Sequence, residues 1–146
     1  MNRFSFSPFE ISLESSELEV RNALARILEK LIPLALTEEE ASAVELVLAE
    51  VLNNVIEHAY PVSDTGNVRL TCHHKQDGLH FNIYDRGVAM PDGQLPVGNL
   101  SQHNVDLEDL PEGGFGWFLI QHLAKDLDYQ RTAGQNRLSL RIAVAL

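Results

Sequence analysis

The sequence predicts an α/β (α+β) two-layer sandwich: a mainly antiparallel sheet with helices packed on one face. Three observations lead there. Two helical segments with apolar periodicity follow one another early in the chain. Two pairs of short alternating strands are each joined across a glycine-bearing turn. A long stretch broken by Gly and Pro separates the two pairs. The order they give is β-α-α-β-β-loop-α-β-β.

Each element has its own local reason. Phe4, Phe6, Phe9, Ile11 and Leu13 nearly alternate, which suits an edge strand. Ser15 or Ser16 then starts a helix carrying Leu18, Val20, Leu24, Ile27, Leu28 and Leu31, which stops around Pro33. Thr37-Glu38-Glu39-Glu40 reads as a capping box, with Thr37 as N-cap and Glu40 reaching back. The helix it opens runs to Ala59 or Tyr60, where Pro61 and Ser63-Asp64-Thr65-Gly66 break it. Strands follow at Val68 to His74 and Leu79 to Asp85, with Asp77-Gly78 as the hairpin signal. Gly87 to Gly114 loses all periodicity, and a loop of that length in a small domain is often a functional lid. Gly116 to Ala124 is helical in pattern. Strands at Leu127 to Thr132 and Arg137 to Val144 close around Gly134-Gln135-Asn136.

Composition narrows the function classes. The chain has 146 residues, enough for one domain that buries roughly 70% of its unfolded surface without staples. An apolar share of 45% against 22% charged excludes disorder. One cysteine, Cys72, excludes an intrachain disulfide framework and a Cys-rich zinc site, and reads as a small core residue. No apolar run approaches the ~20 residues that span a bilayer, and the first residues lack a signal peptide's apolar centre, so a cytoplasmic protein is expected. The net charge of −10 repels phosphate backbones and argues against direct nucleic-acid binding.

Three short motifs could carry chemistry. In the second helix, at ~100° per residue, Val44, Leu48, Val51, Leu52, Val55 and Ile56 share one arc. Glu50, Asn53, Asn54, Glu57 and His58 are placed on the opposite side, with Glu50, Asn54 and His58 in one i, i+4, i+8 ridge. That ridge is either a solvated face or a general base beside an oxygen ligand for a hard cation. Two adjacent asparagines, poor helix formers, weigh against the solvated face. Asp85-Arg86-Gly87-Val88-Ala89-Met90-Pro91 ends a strand: either a plain turn, or a carboxylate that accepts from a ligand amine beside a glycine that permits close approach. Glu112-Gly113-Gly114-Phe115-Gly116 opens a helix and could offer backbone N–H groups to an anion, without the Lys-Ser/Thr of a P-loop. His73 and His74 point to opposite faces of a strand and cannot chelate one metal together. Neither a His-Glu-x-x-His nor a Gly-x-Ser-x-Gly motif occurs.

Taken together, Glu50-x-x-x-Asn54-x-x-x-His58-Ala59-Tyr60, Asp85-x-Gly87-x-Ala89 and Gly114-x-Gly116 resemble the N, G1 and G2 boxes of the GHKL ATPase superfamily. The first box and the short chain look most like bacterial anti-sigma factor serine kinases of the partner-switching type. The resemblance covers about Phe4 to Leu146 and implies a single Bergerat-type ATP-binding domain over residues 1–146. It implies Glu50 as the general base acting on a partner's serine and Asn54 as the ligand of the Mg²⁺ that accompanies ATP. It also implies Asp85 as acceptor of the adenine amine and Gly87 as the point where the base lies close to the backbone. His58, Ala89, Met90 and Phe115 would flank the nucleotide. Gly114 and Gly116 would give N–H groups to the phosphates, under an ATP lid at about 91–112. Implied partners are a STAS-domain anti-sigma factor antagonist, a sigma factor as an optional second partner, and a second copy in a homodimer. Two departures stand out. Ala89 replaces a glycine, and the threonine expected near the penultimate turn gives way to Asn136, Arg137 or Ser139. The alternative is a nucleotide-holding interaction module without phosphoryl transfer, because the lid segment carries Asp92, Asp106, Glu108, Asp109 and Glu112 and no Lys or Arg.

Overall fold

The computed structural model describes residues 6–60, 66–90 and 120–144. Their order is β1 (Phe9–Glu14), α1 (Glu17–Lys30), a 3₁₀ turn (Ile32–Leu34), α2 (Glu38–Ala59), β2 (Asn67–Lys75), β3 (Gly78–Asp85), a helical turn at 120–123, β4 (Lys125–Thr132) and β5 (Gln135–Ile142). The five strands form one antiparallel sheet in the order β1-β2-β3-β5-β4, so the first strand is an edge, as its short alternating run predicts.

The helix starts follow their caps. Ser16 Oγ accepts from the N–H of Glu19 at 3.1 Å, which satisfies one orphan donor of α1. At α2 the capping box closes both ways: Glu40 N–H donates to Thr37 Oγ1 and Thr37 N–H donates to the Glu40 carboxylate. The α1 helix ends at Leu31, and Pro33 lies in the tighter turn that follows. Ala35 then takes a left-handed conformation (φ 52°) to redirect the chain into α2.

The helices cover one face of the sheet. Ile11 and Leu13, Val68, Leu70 and Cys72, Leu79, Phe81 and Ile83, and Leu138, Leu140 and Ile142 all point inward from alternate strand positions. They meet Val20, Ala23 and Ile27 of α1 and Val44, Leu48, Val51, Leu52 and Val55 of α2 in a single core. Cys72 is a free thiol inside it, and burial pushes its pKa up to about 12. The opposite face of the sheet is polar. Arg69 stacks over the Tyr84 ring at 4.3 Å and pairs with Glu10, and Ser139 donates to Asn82.

Both hairpin turns sit one residue earlier than the sequence suggests. Lys75 pairs with Gly78, so the first turn is Gln76-Asp77 and Gly78 already belongs to β3. Its φ of +129° and its approach to β5, where a Cβ would lie 2.3 Å from the Ile142 carbonyl oxygen, explain the glycine. Thr132 pairs with Gln135, so the second turn is Ala133-Gly134, with both φ values positive (53° and 78°) as a type I′ turn requires. Asn136, expected in that turn, is a buried residue of β5.

One cross-strand row matters for the site. Leu13, Val68, Asp85, Asn136 and Arg131 are register partners in sequence across β1, β2, β3, β5 and β4. The row begins in the apolar core and ends in an acid, an amide and a guanidinium.

Candidate functional site

The pocket lies where α2 ends over the tips of β3 and β5. Its walls include His58 and Val55 from α2, Asp85 from β3, Met90 beyond it, Tyr129 from β4 and Asn136 from β5. Asp85 is 6% exposed, a buried carboxylate at the end of an otherwise apolar stripe. Burial raises its pKa, and hydrogen bonds from Asn136 and the Gly87 N–H together with the charge of Arg131 pull it back. Both donors reach the same oxygen: Gly87 N–H at 2.9 Å and Asn136 Nδ2 at 2.7 Å meet Oδ1. Oδ2 takes part in neither bond.

The residues after Asp85 are held on three sides. Val88 N–H donates to the carbonyl of Ala59, the last residue of α2. Asn136 Nδ2 and Arg131 donate to the Val88 and Gly87 carbonyls at 3.1 and 2.9 Å. Met90 N–H donates to the Tyr129 hydroxyl at 2.9 Å. Gly87 itself has a packing reason to lack a side chain, because a Cβ there would stand 2.2 Å from the Ala59 carbonyl oxygen. The end of α2 therefore occupies the direction that a side chain on residue 87 would take.

On α2, the expected placement of Asn54 opposite the apolar arc does not hold. Asn54 is 8% exposed, while His58 is exposed and Glu50 is half-buried. Asn54 stands one turn from buried Val51 and next to buried Val55, at the edge of the apolar stripe, whereas His58 one turn further on is exposed. Asn54 Nδ2 donates to the Glu50 backbone carbonyl at 2.7 Å. That bond turns the amide's NH₂ toward the helix backbone and leaves Oδ1 as the atom able to meet a hard cation. Among the described residues no group of three or more His, Cys, Asp or Glu side chains could hold a metal by itself.

The structure thus gathers His58, Asp85 and Met90 around one pocket, with Gly87 beside Asp85 and Glu50 and Asn54 one to two turns back along α2. Ala89 is half-buried and does not line the pocket. Gly114, Phe115, Gly116 and the 91–112 segment lie outside the described residues. Of the three replacements open for the missing threonine, Asn136 is the one that touches Asp85. Its signal was in the alternation: Asn136 is in phase with Leu138, Leu140 and Ile142. Tyr129 and Arg131 carried no comparable mark, because β4 is an edge strand whose residues are mostly exposed.

A family model described as a histidine kinase-like ATPase domain matches residues 12–142. The chain belongs to that family. Serine/threonine-protein kinase BtrW of Bordetella bronchiseptica is 32% identical over 91 residues, 62% of this chain and 62% of the relative. Serine-protein kinase RsbW of Oceanobacillus iheyensis is 27% identical over 97 residues, 66% of this chain and 61% of the relative. The matches therefore span about 62% of the length of these curated kinases. The crystal structure of the RsbU and RsbW domains of Rv1364c from Mycobacterium tuberculosis aligns with a TM-score of 0.64 at 16% identity, covering 94% of this chain and 32% of that one. That likeness shows the fold: an antiparallel sheet with helices on one face, common to this histidine kinase-like ATPase domain and its neighbour. Among the described residues no helix is long and apolar enough to cross a membrane.

Proposed function

We propose that residues 1–146 form a single histidine kinase-like ATPase domain acting in the cytoplasm as an ATP-dependent protein-serine kinase and regulatory binding protein of a partner-switching system. Its substrate is a serine on a STAS-domain anti-sigma factor antagonist, a sigma factor is an optional second partner, and the working form is a homodimer. The names of the relatives and the fold support the reading. The observation that carries it is Asp85, a buried acid with one oxygen saturated by the protein and the other left for a ligand.

In this reading Asp85 accepts the adenine amine, with Met90 and His58 beside the nucleotide. The 91–112 lid and the N–H groups around Gly114, Phe115 and Gly116 take the phosphates. Asn54 Oδ1 holds Mg²⁺, which neutralises phosphate charge when bound. Glu50 takes the proton of the partner's serine hydroxyl as its oxygen bonds to the γ-phosphorus, and the bridging oxygen departs with ADP. The phosphoserine then carries new negative charge against a chain of net charge −10, which favours separation of the pair.

Calorimetric titration with ATP and ADP, with and without Mg²⁺, tests the nucleotide site. Magnesium-dependent ATP binding that Asp85→Asn loses is the expected result, and a folded wild type that binds neither nucleotide would sink the proposal. Glu50→Gln should keep ATP binding yet lose partner phosphorylation by at least a hundredfold, about the contribution of a positioned general base. The acidic 91–112 segment, with five carboxylates and no Lys or Arg, favours a second reading as a nucleotide-holding interaction module. Binding of ATP without any transfer to the partner would select it.

A further inference from the structure

Asn136 uses its whole hydrogen-bonding capacity on the protein. Its Oδ1 accepts from the Tyr129 hydroxyl at 2.6 Å and from Arg131 at 2.8 Å. Its Nδ2 donates to Asp85 Oδ1 at 2.7 Å and to the Val88 carbonyl at 3.1 Å. A guanidinium can only donate, so Arg131 forces the amide oxygen to its own side and the NH₂ toward Asp85. The polarity of the Arg131–Asn136–Asp85 row is therefore set by chemistry, and the amide is not free to flip. Nothing of Asn136 remains for a ligand, which makes it a positioning residue.

We propose that Asn136, locked by Arg131 and Tyr129, fixes Asp85 as a one-sided acceptor and so restricts the pocket to purines that bear a 6-amino group. The inference rests on the nucleotide reading of the site. With Oδ1 filled by Asn136 and the Gly87 N–H, the base meets Oδ2 alone. Adenine donates to that oxygen from its amino group. Hypoxanthine and guanine present a 6-oxo acceptor and meet an unfavourable pair of acceptors. A site built to hydrogen-bond one group rejects an analogue lacking it because the buried partner is left unpaired. Without the Asn136 donor, Oδ1 keeps only the Gly87 N–H. The carboxylate is then free to shift along the base edge and accept from the N1–H that a 6-oxo purine carries, and selectivity would fade. The same row predicts an inversion. In Asp85→Asn, Asn136 and the Gly87 N–H still demand an oxygen at the inner position, so the new NH₂ must face the base and donate to a 6-oxo purine.

The test is direct calorimetric binding of Mg-ATP and Mg-ITP to the full chain and to Asn136→Leu, Arg131→Met and Asp85→Asn, with thermal unfolding of each as a folding check. Wild type should prefer ATP by at least a hundredfold. Asn136→Leu and Arg131→Met should shrink the ratio to under tenfold while ATP binding weakens roughly ten- to hundredfold, and Asp85→Asn should prefer ITP. Arg131 sits on an exposed strand edge, so its variant remains readable if Asn136→Leu does not fold. A loss of affinity that leaves the ATP:ITP ratio at the wild-type value would show a structural role only and overturn the inference. So would a wild type that binds both nucleotides equally, with the nucleotide reading intact. A folded wild type that binds neither would remove both.

Discussion

At the scale of single residues, the site sets stability against recognition. Asp85 is buried, and its raised pKa means that the folded state prefers it neutral. The linkage has a definite sign: the stabilising contribution is complete below the ordinary value of 3.8 and disappears as pH rises through the raised folded value. At neutral pH the ionised carboxylate therefore works against folding. Asp85→Asn should melt at or above the wild-type temperature at pH 7, with the difference closing on acidification below 3.8; paired thermal melts across pH check this. A variant that loses ligand and gains stability would mark Asp85 as kept for binding. The sequence made Asp85 visible, because a carboxylate that ends an alternating strand in front of a glycine is a legible anomaly. It did not make Gly87's neighbour visible: that a side chain at this position would meet the Ala59 carbonyl is a tertiary fact. Nor did it separate Asn54 from the solvent side of α2, since burial at the edge of an apolar stripe depends on what packs against that turn of the helix.

Among the elements, local signals read best where the chain alone decides. The capping box at Thr37 is satisfied by residues three apart, so it was legible, and Thr37→Ala should cost about 1 kcal/mol in chemical denaturation. ATP binding should be untouched, because Thr37 is at the far end of α2 from the pocket. The hairpins were legible as hairpins and misplaced by one residue, because glycine does a different job in each. Gly78 follows its turn and makes room for the β5 backbone, whereas Gly134 is the second central residue of a type I′ turn. In that second turn Ala133 holds φ 53° without the help that Asn or Gly would give. Ala133→Asn should stabilise the protein by roughly 0.5–1 kcal/mol, measured by the same denaturation. Its register also matters to the site, since a one-residue slip of β5 would turn Asn136 to the polar face.

For the molecule as a whole, a sheet covered on one side has a graded interior. Among the described residues, β2, β3 and β5 have a neighbouring strand on both sides, while β1 and β4 each have one on a single side. Native-state hydrogen exchange should therefore be slowest in β3 and its two neighbours, faster in β1 and fastest in β4, whose residues are the most exposed. Uniform protection across all five strands would contradict this order. The two-layer architecture and the order of elements along the chain followed from periodicity and turn chemistry, but the order of strands in the sheet and the convergence of α2, β3, β4 and β5 on one pocket did not, because they depend on pairing between segments some fifty residues apart, as Asp85 and Asn136 show. That separation has a consequence during synthesis. Asp85 is translated long before Asn136, and until β5 has left the ribosome and paired with β3 the carboxylate has neither its amide partner nor the guanidinium behind it. A nascent chain has no finished pocket, so the finished pocket reports on a fully translated sheet.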